Sequence, residues 1–189
     1  QVVPDISSSN FPAFFSIELT FSTYSFGTGT RFIVSATSPI SSHHRGFYLA
    51  INSSNFVEFG IVSEHYADYS GEYGRYAVLM SNRSIGIGQL THLVASYDGN
   101  SMYLYFNGLI VGLQAACMFP PCGRVMFSSP GEPAIPLIVG RSPMNAWFHS
   151  FSIYSNALQL VDVSRLFQRK SGPIAQVLAP AYGMVLRDG

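Results

Sequence analysis

The segment THLVASYDGNSMYLYFNGLIVGL, Thr91 to Leu113, constrains the fold more than any other part of the chain. Three runs of β-branched and aromatic residues are punctuated by Asp98-Gly99 and Asn107-Gly108. Such Asp-Gly and Asn-Gly pairs tolerate the positive φ that a two-residue hairpin turn needs, so the segment reads as a three-strand antiparallel meander. No charged residue occurs between Asp98 and Arg124, and about 17 to 25 apolar residues suffice for a transmembrane helix. A helix here, however, would hold Asn107, Gly108, Gly112 and Gln114 in its middle and end in a Pro pair. The hairpin uses Asn-Gly where it is favoured, so no membrane insertion is expected.

The rest of the chain repeats this texture. FSIELTFS (Phe15 to Ser22) alternates with period two, RFIVSAT (Arg31 to Thr37) is β-rich, and FYLAIN and FVEFGIVSE follow as consecutive antiparallel strands. YAVLMS and WFHSFSIYS read as further strands, and GRVMFSS as a short one. The loop SPGEPAIP carries three prolines, which a central strand does not accept, and LIVGRS restarts the sheet. NALQLVDVSRLFQRK is the one stretch with helical spacing. There Leu158, Val161, Arg165 and Leu166 share a face, Asn156 is the expected cap, and basic residues cluster at the end. The organisation expected is one domain over residues 1–175, with residues 176–189 an edge strand or a linker to further sequence.

The order of these pieces resembles laminin G-like, concanavalin A-like jelly-roll domains. Thr91-His92-Leu93-Val94, Tyr97-Asp98-Gly99 and Leu104-Tyr105-Phe106-Asn107-Gly108 match the family's Trp-His-x-Val, Tyr-Asp-Gly and Leu-Tyr-x-Asp-Gly, with Thr91 for Trp and Asn107 for Asp. Ile153-Tyr154, Ala157-Leu158 and Leu166-Phe167 fit its closing strand and helix, over roughly residues 12–170 in all. The resemblance implies an all-β sandwich of two antiparallel sheets, jelly-roll in type, with one short C-terminal helix. It also implies a recognition role. Ala146, His149 and Ser150 stand where the family has Gly and an acidic pair, so the matched motifs do not support a calcium site, which wants six to eight oxygen ligands. No metal and no cofactor are expected.

Glycoside hydrolysis needs two carboxylates about 5 to 9.5 Å apart, and an E-x-D-x-E run on one strand would supply them. Glu18 and Glu58 are instead solitary on their strands, and no Gly-x-Ser-x-Gly occurs. His92 reads as a strand residue, and His43 and His44, adjacent in a loop, point apart and chelate poorly. The chain is therefore read as non-enzymatic. Its unusual constellation is Glu64, Tyr66, Asp68, Tyr69, Glu72, Tyr73 and Tyr76 in EHYADYSGEYGRY. Three readings stand for it: a long loop packed on its own sandwich, a protein contact built on tyrosine area, or a sugar surface of stacking rings and accepting carboxylates. Trp147, the one tryptophan, reads as a core or half-buried residue, with an exposed platform as the functional alternative.

Composition places the chain. Ten basic and ten acidic residues cancel, leaving no electrostatic footprint for nucleic acid or anionic lipid. Only 11% of residues are charged against 48% hydrophobic, where soluble domains carry about 25% charged. A surface covered by glycans or by neighbouring chains is the expectation. Two Asn-x-Ser sequons, Asn52 and Asn82, offer glycan sites. Cys117 and Cys122 fit a small loop-closing disulfide, with two buried thiols as the competing reading. Disulfide and sequons together point to an extracellular or cell-surface protein. Gln1 is read as the start of a processed or excised chain. The expected function is a recognition or assembly module of a larger extracellular glycoprotein, its partners other protein chains or glycans.

Overall fold

The computed structural model describes residues 2–6, 11–25, 28–37, 45–63, 77–117, 120–127, 135–140 and 145–171. Eleven strands are named among them: β1 (Val2–Ile6), β2 (Phe15–Ser25), β3 (Arg31–Thr37), β4 (Gly46–Ile51), β5 (Phe56–Ile61), β6 (Ala77–Ser84), β7 (Leu90–Tyr97), β8 (Ser101–Phe106), β9 (Leu109–Ala115), β10 (Ile135–Val139) and β11 (Asn145–Tyr154). One helix, α1 (Leu160–Ser171), closes the series. The strands form two antiparallel sheets, a six-stranded one in the order β1-β10-β3-β4-β5-β6 and a five-stranded one in the order β11-β2-β7-β8-β9. The uncharged stretch is thus the β8–β9 hairpin, with Asn107 (φ 49°) and Gly108 (φ 80°) at its tip. No helix among the described residues is long and apolar enough to cross a membrane.

Period-two alternation builds the core. Phe15, Ile17, Leu19 and Phe21 of β2 face inward with Leu93, Ala95 and Tyr97 of β7, against Phe47, Leu49 and Ile51 of β4 and Val57, Phe59 and Ile61 of β5. The Phe15 ring bridges the sheets, 5.1 Å from Phe47 and 6.2 Å from Phe59 between centroids. A bulge between Phe32 and Val34 shifts the phase of β3, which is why Ile33 and Val34 are both buried. Tyr48, on the other face, lies over Gly60, where a Cβ would come within 2.1 Å of the ring.

Four readings of the sequence need correction. β1 was not expected, because Pro4 and Asp5 obscure its pattern; as an edge strand with a register shift between Val3 and Asp5 it accommodates them. Pro136 does lie in an internal strand, but the β10–β3 ladder begins only at Ile138, so the proline is paired on the β1 side alone. GRVMFSS forms no named strand; it contributes a single bridge, Ser63 to Val125. In the helix region Leu158 is buried as expected, but Val163 is buried with it while Val161 is exposed. The helix start is set by Gln159 and Asp162, whose Oδ2 accepts from the Gln159 N–H at 3.3 Å, and not by Asn156. Residues 176–189, expected as strand or linker, lie outside the described residues, which end at Ser171.

Candidate functional site

The outer face of the five-stranded sheet carries the chemistry. Register places Leu90, Ser22 and Trp147 in one row across β7, β2 and β11, then His92, Thr20 and Ser150, then Val94, Glu18 and Ser152, then Ser96, Ser16 and Tyr154. On β8, Tyr105 and Tyr103 stand beside Val94 and Ser96. The sequence left open what covers these tyrosines; α1 does, with Val94, Tyr105, Leu158 and Val163 forming a second buried cluster joined by Tyr103, Tyr154 and Leu166. The helix is moored at its start by Ser16, whose Oγ accepts from Leu158 N at 2.8 Å and donates to Asn156 O at 2.9 Å.

At its other end the mooring is ionic. Glu18 is 1% exposed at its side chain, and its Oε1 lies 2.8 Å from His92 Nε2 and 2.9 Å from Lys170 Nζ. Tyr154 Oη donates to Oε2 at 2.5 Å, and Lys170 Nζ also donates to Ser150 Oγ at 2.8 Å. Burial pushes the Glu18 carboxyl upward, yet the His92 and Tyr154 hydrogen bonds and the Lys170 charge outweigh it and hold the group down at about 2. Burial, and then the same carboxylate, raises the Tyr154 phenol. His92 is stacked on Phe167 at 5.8 Å, and its Nδ1 is buried without a hydrogen-bond partner. Sequence reasoning found Glu18 solitary, because its partners are 74, 136 and 152 residues away in the chain. A carboxylate so enclosed and so firmly ionised holds a helix; it offers no proton and no face to a substrate.

Beyond Lys170 the outer face is uncovered. Trp147 is 64% exposed on β11, contrary to the core or half-buried position expected for it, and Tyr24 of β2 is 58% exposed. Ser22 pairs with Trp147, and Tyr24 lies two residues further along β2, at the register shift between Asn145 and Ala146. His149 is exposed beside them, with Nε2 3.3 Å from Ser22 Oγ, and Leu90 completes the row. Asn145 Nδ2 donates to Ser25 Oγ at 2.9 Å and ties the strand ends together. The result is an aromatic platform on paired strands.

The remaining sequence candidates are distributed as follows. Glu64, Tyr66, Asp68, Tyr69, Glu72, Tyr73 and Tyr76 lie outside the described residues, as do His43 and His44. Asn52 is half-buried in the β4–β5 turn, where Oδ1 accepts from Ser54 N and Phe56 N and Nδ2 donates to Glu58 Oε1 at 3.0 Å. Asn82 is exposed on β6. Cys117 and Cys122 form the expected disulfide, with Cα atoms 5.4 Å apart, in a loop containing a cis Pro120-Pro121 bond. Glu18 and Glu58 lie on different sheets, and no group of three potential metal ligands occurs among the described residues.

Two sheets packed face to face around one core, with a helix across the outer face of the second, define a jelly-roll sandwich of the lectin type. The chain belongs to the concanavalin A-like lectin/glucanases superfamily, whose family model matches residues 3–164. Solved structures similar to it include the binding domain of botulinum neurotoxin DC in complex with SialylT (16% identity, TM-score 0.57, 85% of this chain and 36% of that one). The same toxin's binding domain in complex with rat synaptotagmin II matches at 17% identity and a TM-score of 0.56, again over 85% and 36% of the two chains. A Trypanosoma rangeli sialidase in complex with 2,3-difluorosialic acid matches at 14% identity and a TM-score of 0.54, over 93% of this chain and 24% of that one. At these identities the likeness shows the fold alone, and the chain spans about a quarter to a third of the length of these three solved chains. No curated protein matches the sequence.

Proposed function

We propose that this chain is a non-catalytic recognition module of an extracellular or cell-surface glycoprotein, and that the Trp147–Tyr24 platform contacts a glycan. The observation that carries the reading is the exposure of the one tryptophan on a strand that pairs with β2, between two register shifts. Burying an aromatic side chain is worth about 1.5 to 3 kcal/mol, a gain forgone here. Large exposed rings grouped on a rigid sheet present flat apolar area to a ligand with little entropy left to lose. The apolar faces of sugar rings fit such a surface, and His149 and Asn145 lie beside it for hydroxyl groups. The similar toxin domain in complex with SialylT supports a glycan partner.

Two further readings are separable from it. Leu90 and Ile87, both exposed near the platform, would suit an apolar protein partner in an assembly, as the toxin domain in complex with synaptotagmin illustrates for that protein. The sialidase likeness would suit hydrolysis, but Glu18 is enclosed and Glu58 lies on the opposite sheet. The test is a glycan array followed by titration monitored by the fluorescence of Trp147. Saturable quenching by an array hit is expected in the parent, with array binding lost in Trp147→Ala at an unfolding stability within about 0.5 kcal/mol of the parent. Array binding that survives the substitution, or no binding at all, would refute the assignment.

A further inference from the structure

We infer that a cleft at the opposite end of the sandwich from Trp147 is a second saccharide subsite, sized for one neutral hexopyranose residue. The inference rests on the glycan-recognition reading above and adds a separate binding place to it. The cleft, about 320 Å³, is lined by Phe14, Asp98, Gly99, Asn100, Gly123 and Arg124 among others. That volume is at the small end of the range of about 300–1,000 Å³ for ligand sites, which suits a single sugar ring.

Its floor is rigid for reasons visible in the chain. Asp98 closes the β7–β8 turn, its Oδ1 accepting from Asn100 N at 2.9 Å and Ser101 N at 2.7 Å, with Tyr103 Oη on Oδ2 at 3.0 Å. Cys122 N donates to Gly99 O at 3.0 Å, Tyr97 Oη to Gly123 O at 2.6 Å, and Ala116 N to Asn100 O at 2.8 Å, so the disulfide loop is stitched to the turn. Gly99 has φ +91°, and a Cβ there would come within 2.5 Å of Phe14 Cε1. The phenyl ring therefore lies directly on the turn's backbone, with 51% of the residue still exposed.

The chemistry around that ring is what a sugar requires. An open aromatic face takes the C–H side of a pyranose, while the exposed Asn100 amide and the remaining acceptor capacity of Asp98 lie along the rim for hydroxyl groups. One carboxylate and one guanidinium balance, so a neutral ring is favoured over an acidic one. Phe14, just before β2, and Tyr24 near its end are ten residues apart, about 33 Å on extended backbone. No disaccharide spans that distance, so the two sites fill independently and one domain can hold two glycan ends.

Titration of the ¹⁵N-labelled chain with methyl α- and β-glycosides of galactose, glucose, mannose and N-acetylglucosamine tests this, with glycerol as control. Expected are saturable NMR shifts at Gly99, Asn100, Ser101 and Gly123 with millimolar affinity for at least one glycoside. Phe14→Ala should weaken that binding about tenfold, Asn100→Ala should weaken it too, and Trp147→Ala should leave it unchanged. The inference is overturned if no glycoside saturates these amides, if glycerol reproduces the shifts, or if both cleft variants bind like the parent. Shifts at the cleft with none at the Trp147 indole would sink the platform and leave the cleft; the reverse result would do the opposite.

Discussion

Replacing Glu18 by Gln preserves shape, removes the charge and turns one of the two acceptor oxygens into an NH2 donor, so it unties the ionic mooring of α1. The carboxyl is held at about 2 in the folded chain against an ordinary 4.5. Each unit is worth about 1.36 kcal/mol, which gives a contribution of about 3 kcal/mol. Burial of Glu18 to 1% means little of this is screened, although Lys170, 31% exposed, recovers part of its hydration once the partner is gone. Because the folded-state value is depressed, the stabilisation is complete above the unfolded value and is lost as pH falls from about 5 towards 2. Glu18→Gln should therefore be about 2 to 3 kcal/mol less stable at pH 7, and the two proteins should converge in acid. Urea unfolding followed by far-UV circular dichroism at pH 7, 5, 4 and 3 measures the gap, with all other titrating groups common to both chains. A constant gap across that range, or one below about 0.5 kcal/mol at pH 7, would show that the cluster does not hold the helix as argued.

Two other substitutions test the scaffold. Asn52→Ala removes an acceptor shared by two backbone N–H groups and the donor to Glu58, and should cost about 1 to 2 kcal/mol in a thermal or urea melt; a neutral result would mean water replaces the turn. Cys117→Ser with Cys122→Ser opens a loop of sequence separation 5, for which chain entropy gives about 2 kcal/mol, and urea midpoints with and without reductant should show it in the parent alone.

What the sequence disclosed depended on how locally each feature is encoded. Asp98-Gly99 and Asn107-Gly108 specify their turns within four residues, and β7, β8 and β9 follow from them. The helix was found but its face was shifted, since Val161 and Val163 are equally apolar and only the sheet beneath decides which is buried. Trp147 was expected inside because aromatic residues usually are, and nothing in WFHSFSIYS announces that α1 ends before reaching that row. Glu18 was invisible as a cluster: its three partners come from β7, β11 and α1, and no spacing rule links them. Phe14 beside Gly99 is the same case, a juxtaposition made by a crossover between β2 and β7.

The position of β2 has a consequence for how the chain is made. Its eleven residues run between β7 and β11, whose first residues are Leu90 and Asn145. During synthesis from the N-terminus, β2 leaves the ribosome long before either neighbour exists, with both hydrogen-bonding edges open and four apolar side chains on one face. The order of translation thus leaves this strand open to wrong pairing on both edges, and α1, which follows all eleven named strands in the chain, shields its buried charge.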